Sequence, residues 1–156
     1  MNINRAVDKK FENMSLRDVL KQPIDALQGL SSRQAKLVKE AFRITTIEQL
    51  SKLRFAKWAE ALMALSKYEI KGDTNSHLNI NKCVDKAYEK KSIKEILDSP
   101  VQALQGLSDR QAELLYQAFK IKTVKQLGNL RFYKIAKAIY FLALCEDTSL
   151  DPNSKL

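Results

Sequence analysis

The chain has 156 residues, 45% of them hydrophobic and 29% charged, with 27 Lys and Arg against 18 Asp and Glu for a net charge of +9. This fits one ordinary globular domain or two small ones and excludes a disordered chain. Four Gly and three Pro count against an all-β fold built on tight turns and against collagen-like or low-complexity sequence. A surface this basic suits anionic partners such as nucleic acid or acidic protein faces.

The first residues, MNINRAVDKKFENMSLRDVL, show no apolar stretch behind a basic start, so no signal peptide is expected. The spacing predicts a helix over 2–13, a short one over 15–21, a single turn over 23–28, and helices over 31–42, 46–52 and 54–66. Pro23 and Pro100 sit where one helix can end and the next begin. Ser31 with Gln34, Thr46 with Gln49, Ser108 with Gln111, Thr123 with Gln126 and Ser92 with Glu95 read as capping boxes. Ser15 with Asp18 is a weaker counterpart. Ala35, Val38, Ala41 and Phe42 keep a helical period, as do Phe55, Trp58, Ala59, Leu62 and Leu65. No strand-like alternation occurs.

Residues 2–65 realign without a gap onto 79–142 at an offset of 77, and 33 of the 64 aligned positions are identical. An internal duplication of this length predicts two helical modules of the same design. The first is expected over 1–66 and the second over 79–145. Residues 67–78 read as a polar linker or exposed loop and 146–156 as a flexible tail. Residues 138–145 form the longest apolar run, eight residues, too short to span a bilayer, so no membrane partner is expected. A helix apolar nearly all round asks for burial on more than one side. It would pack against the first copy or against another protein through Ile139, Tyr140 and Phe141.

Catalysis finds no footing. His77 is the single histidine, so no His-based dyad, triad or multi-His site is available. No phosphate-binding Gly-rich loop occurs. Cys83 and Cys145 stand far apart without metal-ligand spacing, and read as reduced thiols of a cytoplasmic protein. Hence no enzyme, no metal site and no cofactor is expected.

Leu27 to Val38, LQGLSSRQAKLV, places a turn at Gly29 before a capped helix, with the small Ala35 six residues on. Leu104 to Leu115 repeats it, and AFRITTIEQL or AFKIKTVKQL follows. These residues resemble the helix-hairpin-helix family, in tandem. They are similar to the SAM-like N-terminal domain of the RecA-like recombinases of archaea and eukaryotes. The resemblance implies an all-α fold of two homologous modules, each with a helix-hairpin-helix-like core. It also implies that backbone amides at the hairpin and helix N-terminus meet a phosphate beside a basic side chain. The residues so assigned are Gly29, Leu30, Ser31 and Arg33, and Gly106, Leu107, Ser108 and Arg110. The family's second glycine is Ser31 or Ser108 here. A fainter echo, with Leu53, Lys57 and Ala59 or Leu130, Lys134 and Ala136, lacks the glycine.

Arg33, Lys36, Lys39 and Arg43 fall within roughly one third of a helix surface. The second copy has Arg110, Glu113, Tyr116 and Lys120 there, so the first copy should dominate anion binding. Arg54-Phe55 and Arg131-Phe132 open a helix in both copies, where an arginine opposes the helix dipole unless partnered. The expected function is a non-enzymatic protein that holds nucleic-acid backbone, DNA before RNA, without reading sequence. The alternative is a protein-interaction adaptor using the apolar last helix.

Overall fold

The computed structural model describes residues 1–73 and 76–150, and these form helices without a strand. Eight α-helices are present among the described residues: α1 (Leu16–Leu20), α2 (Ser32–Phe42), α3 (Ile47–Ser51), α4 (Arg54–Ser66), α5 (Ile93–Leu97), α6 (Asp109–Phe119), α7 (Val124–Gly128) and α8 (Arg131–Ala143). Each of the first four has a counterpart of equal length 77 positions on.

The caps explain the helix starts. Ser31, Thr46, Ser108 and Thr123 each accept the amide three residues on, and Gln34, Gln49, Gln111 and Gln126 return the bond to the cap backbone. Ser15 and Ser92 make only the serine arm. At these two helices a distant carboxylate supplies the rest. Glu146 accepts from the Leu16 and Arg17 amides at 2.7 and 3.0 Å. Glu69 accepts from the Ile93 and Lys94 amides at 2.8 and 3.2 Å. A negative charge there also complements the positive end of the helix.

The helix expected over 2–13 does not form. A single 3-10 turn, Lys9–Phe11, stands in its place, as Lys86–Tyr88 does in the second half. The backbone ahead of it pairs across the chain instead: Asp8 donates to the Ala26 carbonyl at 2.8 Å and Gln28 to Ala6 at 2.9 Å. Val7, 1% exposed, is thereby pinned in the core. Asn and Asp side chains compete for local backbone groups and disfavour helix, and Asn2 Oδ1 takes the Asn4 amide. A second isolated bridge, Pro23 to Thr46, fixes the single turn Ile24–Ala26 against the start of α3.

The compact units cross the expected module boundaries. One is Met1–Lys52 with Arg131–Leu156; the other is Leu53–Leu130. In the first, α8 packs on α1 and α3; in the second, α4 packs on α5 and α7. Each half of the sequence therefore lends its last long helix to the other half. The α8 face turned inward carries Phe132, Tyr133, Ala136, Ile139 and Ala143; the α4 face carries Phe55, Ala56, Ala59 and Leu62. Burying side chains such as Phe132 or Ile139 is worth about 2 kcal/mol each, enough to hold a helix far from its sequence neighbours.

The segment expected as a tail starts later than 146, because Glu146 caps α1 and Thr148–Leu150 form a 3-10 turn. Residues 151–156 lie outside the described residues, as do residues 74 and 75 of the expected linker. No helix among the described residues is long and apolar enough to cross a membrane.

Candidate nucleic-acid interface

In the first unit the turn Ile24–Ala26 runs through Leu27 and Gln28 into Gly29, which has φ +89°, and then into the α2 cap. Gly106 repeats this in the second unit with φ +87°. Only glycine takes that conformation without strain. Leu30 and Leu107 are 4% and 5% exposed, so their side chains anchor the hairpin in the core and offer nothing to a ligand.

The hairpin amides are only partly available. Leu30 donates to the Leu27 carbonyl at 3.1 Å, and Ser31 donates to Gln34 Oε1 at 2.8 Å. Leu107 and Ser108 do the same at 3.2 and 2.9 Å. The capping boxes thus occupy the Ser31 and Ser108 amides. The amides of Gly29 and Ser32, and of Gly106 and Asp109, meet no protein acceptor among the described residues. Ser32 and Asp109 set the hairpins apart. The Asp109 carboxylate, held by Gln102 Nε2 at 3.1 Å, puts a negative charge on the first turn of α6.

A guanidinium lies on each hairpin. A Cβ built on Gly29 would meet Arg131 Nη2 at 3.0 Å, and one on Gly106 would meet Arg54 Nη2 at 3.2 Å. Arg131 Nη2 reaches the Gln28 carbonyl at 3.4 Å and its guanidinium lies 4.7 Å from the Phe132 ring centroid. The Arg54 guanidinium lies 4.8 Å from the Phe55 ring and 5.7 Å from that of Trp58. The ring stacking and the carbonyl partner offset the unfavourable placement of arginine at a helix start. Both arginines reach their hairpins from the other half of the sequence, because α4 and α8 are exchanged. The recurring Arg-Phe pair was the sequence signal; which hairpin it covers is a tertiary fact.

Arg33, Lys36, Lys39 and Arg43 are all exposed on or next to α2. Arg43 ends that helix in the left-handed conformation, φ +58°, where its charge also faces the negative helix end. Lys120 does the same on α6. On that helix Arg110 and Glu113 are exposed, and Lys120 and Lys122 lie 4.9 and 5.1 Å from the Tyr116 ring. Lys120 and Lys122 thus gather around an aromatic ring at the far end of α6, away from the hairpin.

The apolar candidates separate. Ile139 is 4% exposed and belongs to the core of the first unit, so it is not available to a partner. Tyr140 is half-buried, with Lys52 Nζ 5.0 Å from its ring. Phe141 and Leu142 are exposed on the last turn of α8, and Leu144 is exposed just beyond it. Among the described residues no cluster of His, Cys, Asp or Glu could hold a metal ion.

No known family, curated protein or solved structure matches this chain.

Proposed function

We propose that the protein is a non-enzymatic binder of nucleic-acid backbone, built from a duplicated helical module with helix-hairpin-helix-like cores. The observation that carries the reading is the Gly29 turn: a left-handed glycine entering a capped helix, with a guanidinium laid across it and a cationic face alongside. Amides and guanidinium together favour a phosphate, and neither reads a base. Arg131 joins Arg33, Lys36, Lys39 and Arg43 as a contact at the first hairpin. The second hairpin is the weaker, since Asp109 repels an anion there. Free Cys83 and Cys145 accord with a cytoplasmic setting.

The test is fluorescence anisotropy of labelled duplex and single-stranded DNA, and of RNA, from low to physiological salt. The expected log–log slope corresponds to about 3–5 phosphates. Arg33→Glu and Arg131→Glu should each weaken binding at least tenfold, and Arg110→Glu much less. Binding that ignores Arg33→Glu and Arg131→Glu, or its absence at low salt, rejects the reading.

A second reading, docking to a partner protein, rests on Phe141, Leu142 and Leu144, exposed by 57, 57 and 70%. It would show weak salt dependence and sensitivity to Phe141→Ser rather than to Arg33→Glu.

A further inference from the structure

The exchange of α4 and α8 raises the question of why neither helix folds back onto its own half. The two acceptor surfaces, α1 with α3 and α5 with α7, are counterparts in sequence, and so are the two helices. Two differences in side-chain size bear on it.

The first is at the end of the acceptor. Gly128 closes α7, and a Cβ there would lie 2.9 Å from the Ala59 carbonyl oxygen and 2.6 Å from Met63 Sδ of α4. Backbone approaches this close leave room for hydrogen alone. The counterpart of Gly128 on α3 is Ser51, a buried serine whose hydroxyl donates to the Glu48 carbonyl. If α4 lay on α3 as it lies on α7, the Ser51 Cβ would run into the α4 backbone. The second is on the docked helix. Tyr133 of α8 is 1% exposed, and its counterpart on α4, Ala56, is fully buried. At equivalent places of the two helices, α8 thus buries a phenol ring and α4 a methyl group. Transposing the helices would force a ring into the second unit and leave a ring-sized void in the first. Cores resist both changes.

We infer that the surface formed by α5 and α7 is a receptor selective for helix α4, that the surface of α1 and α3 is selective for α8, and that Gly128 with Ala56, against Ser51 with Tyr133, sets the choice. The receptor needs only the helix, so it also holds α4 when the covalent link is cut. This inference does not depend on nucleic-acid binding.

The test uses the full-length protein. Trp58, its single tryptophan, rides on α4 and reports where that helix is docked. Gly128→Ser should lower the thermal midpoint followed by Trp58 emission by at least about 4 °C, and Ser51→Ala should leave the Trp58 emission maximum unchanged. A Trp58 signal that follows Ser51→Ala and ignores Gly128→Ser overturns the inference, as does an equal response to both. Should Gly128→Ser fold poorly, Gly128→Ala gives the milder version of the same comparison. As an independent measurement, a protease site is inserted between the exposed Lys71 and Gly72 and cut after folding. The two pieces should stay together one-to-one at micromolar concentration, and Gly128→Ala should weaken their association at least tenfold. Pieces that separate, or that Gly128→Ala leaves equally tight, contradict it.

Discussion

The two units make the same arrangement from chain segments of very different separation. In the second, Glu69 caps a helix 24 residues downstream; in the first, Glu146 caps one 130 residues upstream. Taken alone, the longer closure costs about 1.5 kcal/mol more, because loop entropy grows with the logarithm of length. The units also fill their seams differently: Ala56 and a bare Gly128 bring α4 and α7 close, whereas Tyr133 and Ser51 fill the first unit with side-chain volume. Equal backbone geometry therefore hides unequal energetics. The unit that closes over the longer distance is the one with the large aromatic ring in its core, and that burial offsets part of the entropic handicap.

The largest effect that should break this comparison is Tyr133→Ala. Removing a ring from a site 1% exposed should destabilise by about 4 kcal/mol. Urea unfolding followed by amide exchange should place the loss in the first unit, with α5 and α7 still protected. A loss spread evenly over both units would mean that they do not open separately.

The hairpin glycines sharpen it. Gly29→Ala and Gly106→Ala each force a side chain into the left-handed region and push an arginine aside, costing about 1–2 kcal/mol. Calorimetry should find the two costs alike. Their effect on DNA affinity should differ, with Gly29→Ala the more damaging, and an equal loss would remove the first hairpin's privilege.

The smallest effect concerns the distant caps. Glu146→Gln and Glu69→Gln keep the hydrogen-bond acceptor and remove the charge, so each should cost about 0.5–1 kcal/mol at low salt and less as salt rises. Glu146 should cost more, since it also sits 3.6 Å from Arg17 and is the less exposed of the two. Paired chemical denaturation at low and high salt would expose a reversed order.

Much of the local structure was legible because helix caps are local chemistry. The Ser and Thr caps and their glutamines marked the starts of α2, α3, α6 and α7 to within a residue. The stretch 2–13 misled because its lysines favour helix, while its fate is decided by Ala26 and Ala6, whose carbonyls take the Asp8 and Gln28 amides. The glycine turns were readable; the guanidiniums over them were not, because Arg131 and Gln28 are 103 residues apart. The one sequence hint of the exchange was the apolar surplus of α8. It spoke for burial against the first copy, where α8 packs on α1 and α3, or against another protein, and it concealed that Phe141 and Leu142 stay outside.

The exchange also fixes an order of assembly as the chain is made. Residues 53–130 are contiguous, so the second unit has every part it needs once Leu130 has emerged. Residues 1–52 appear first and wait for α8, roughly 5–20 s later at ordinary rates of synthesis. During that interval Val19, Leu20, Ile47 and Leu50, all buried in the finished protein, stand without their covering helix. Residues 1–52 are thus the stretch most exposed to chaperones and proteases during synthesis.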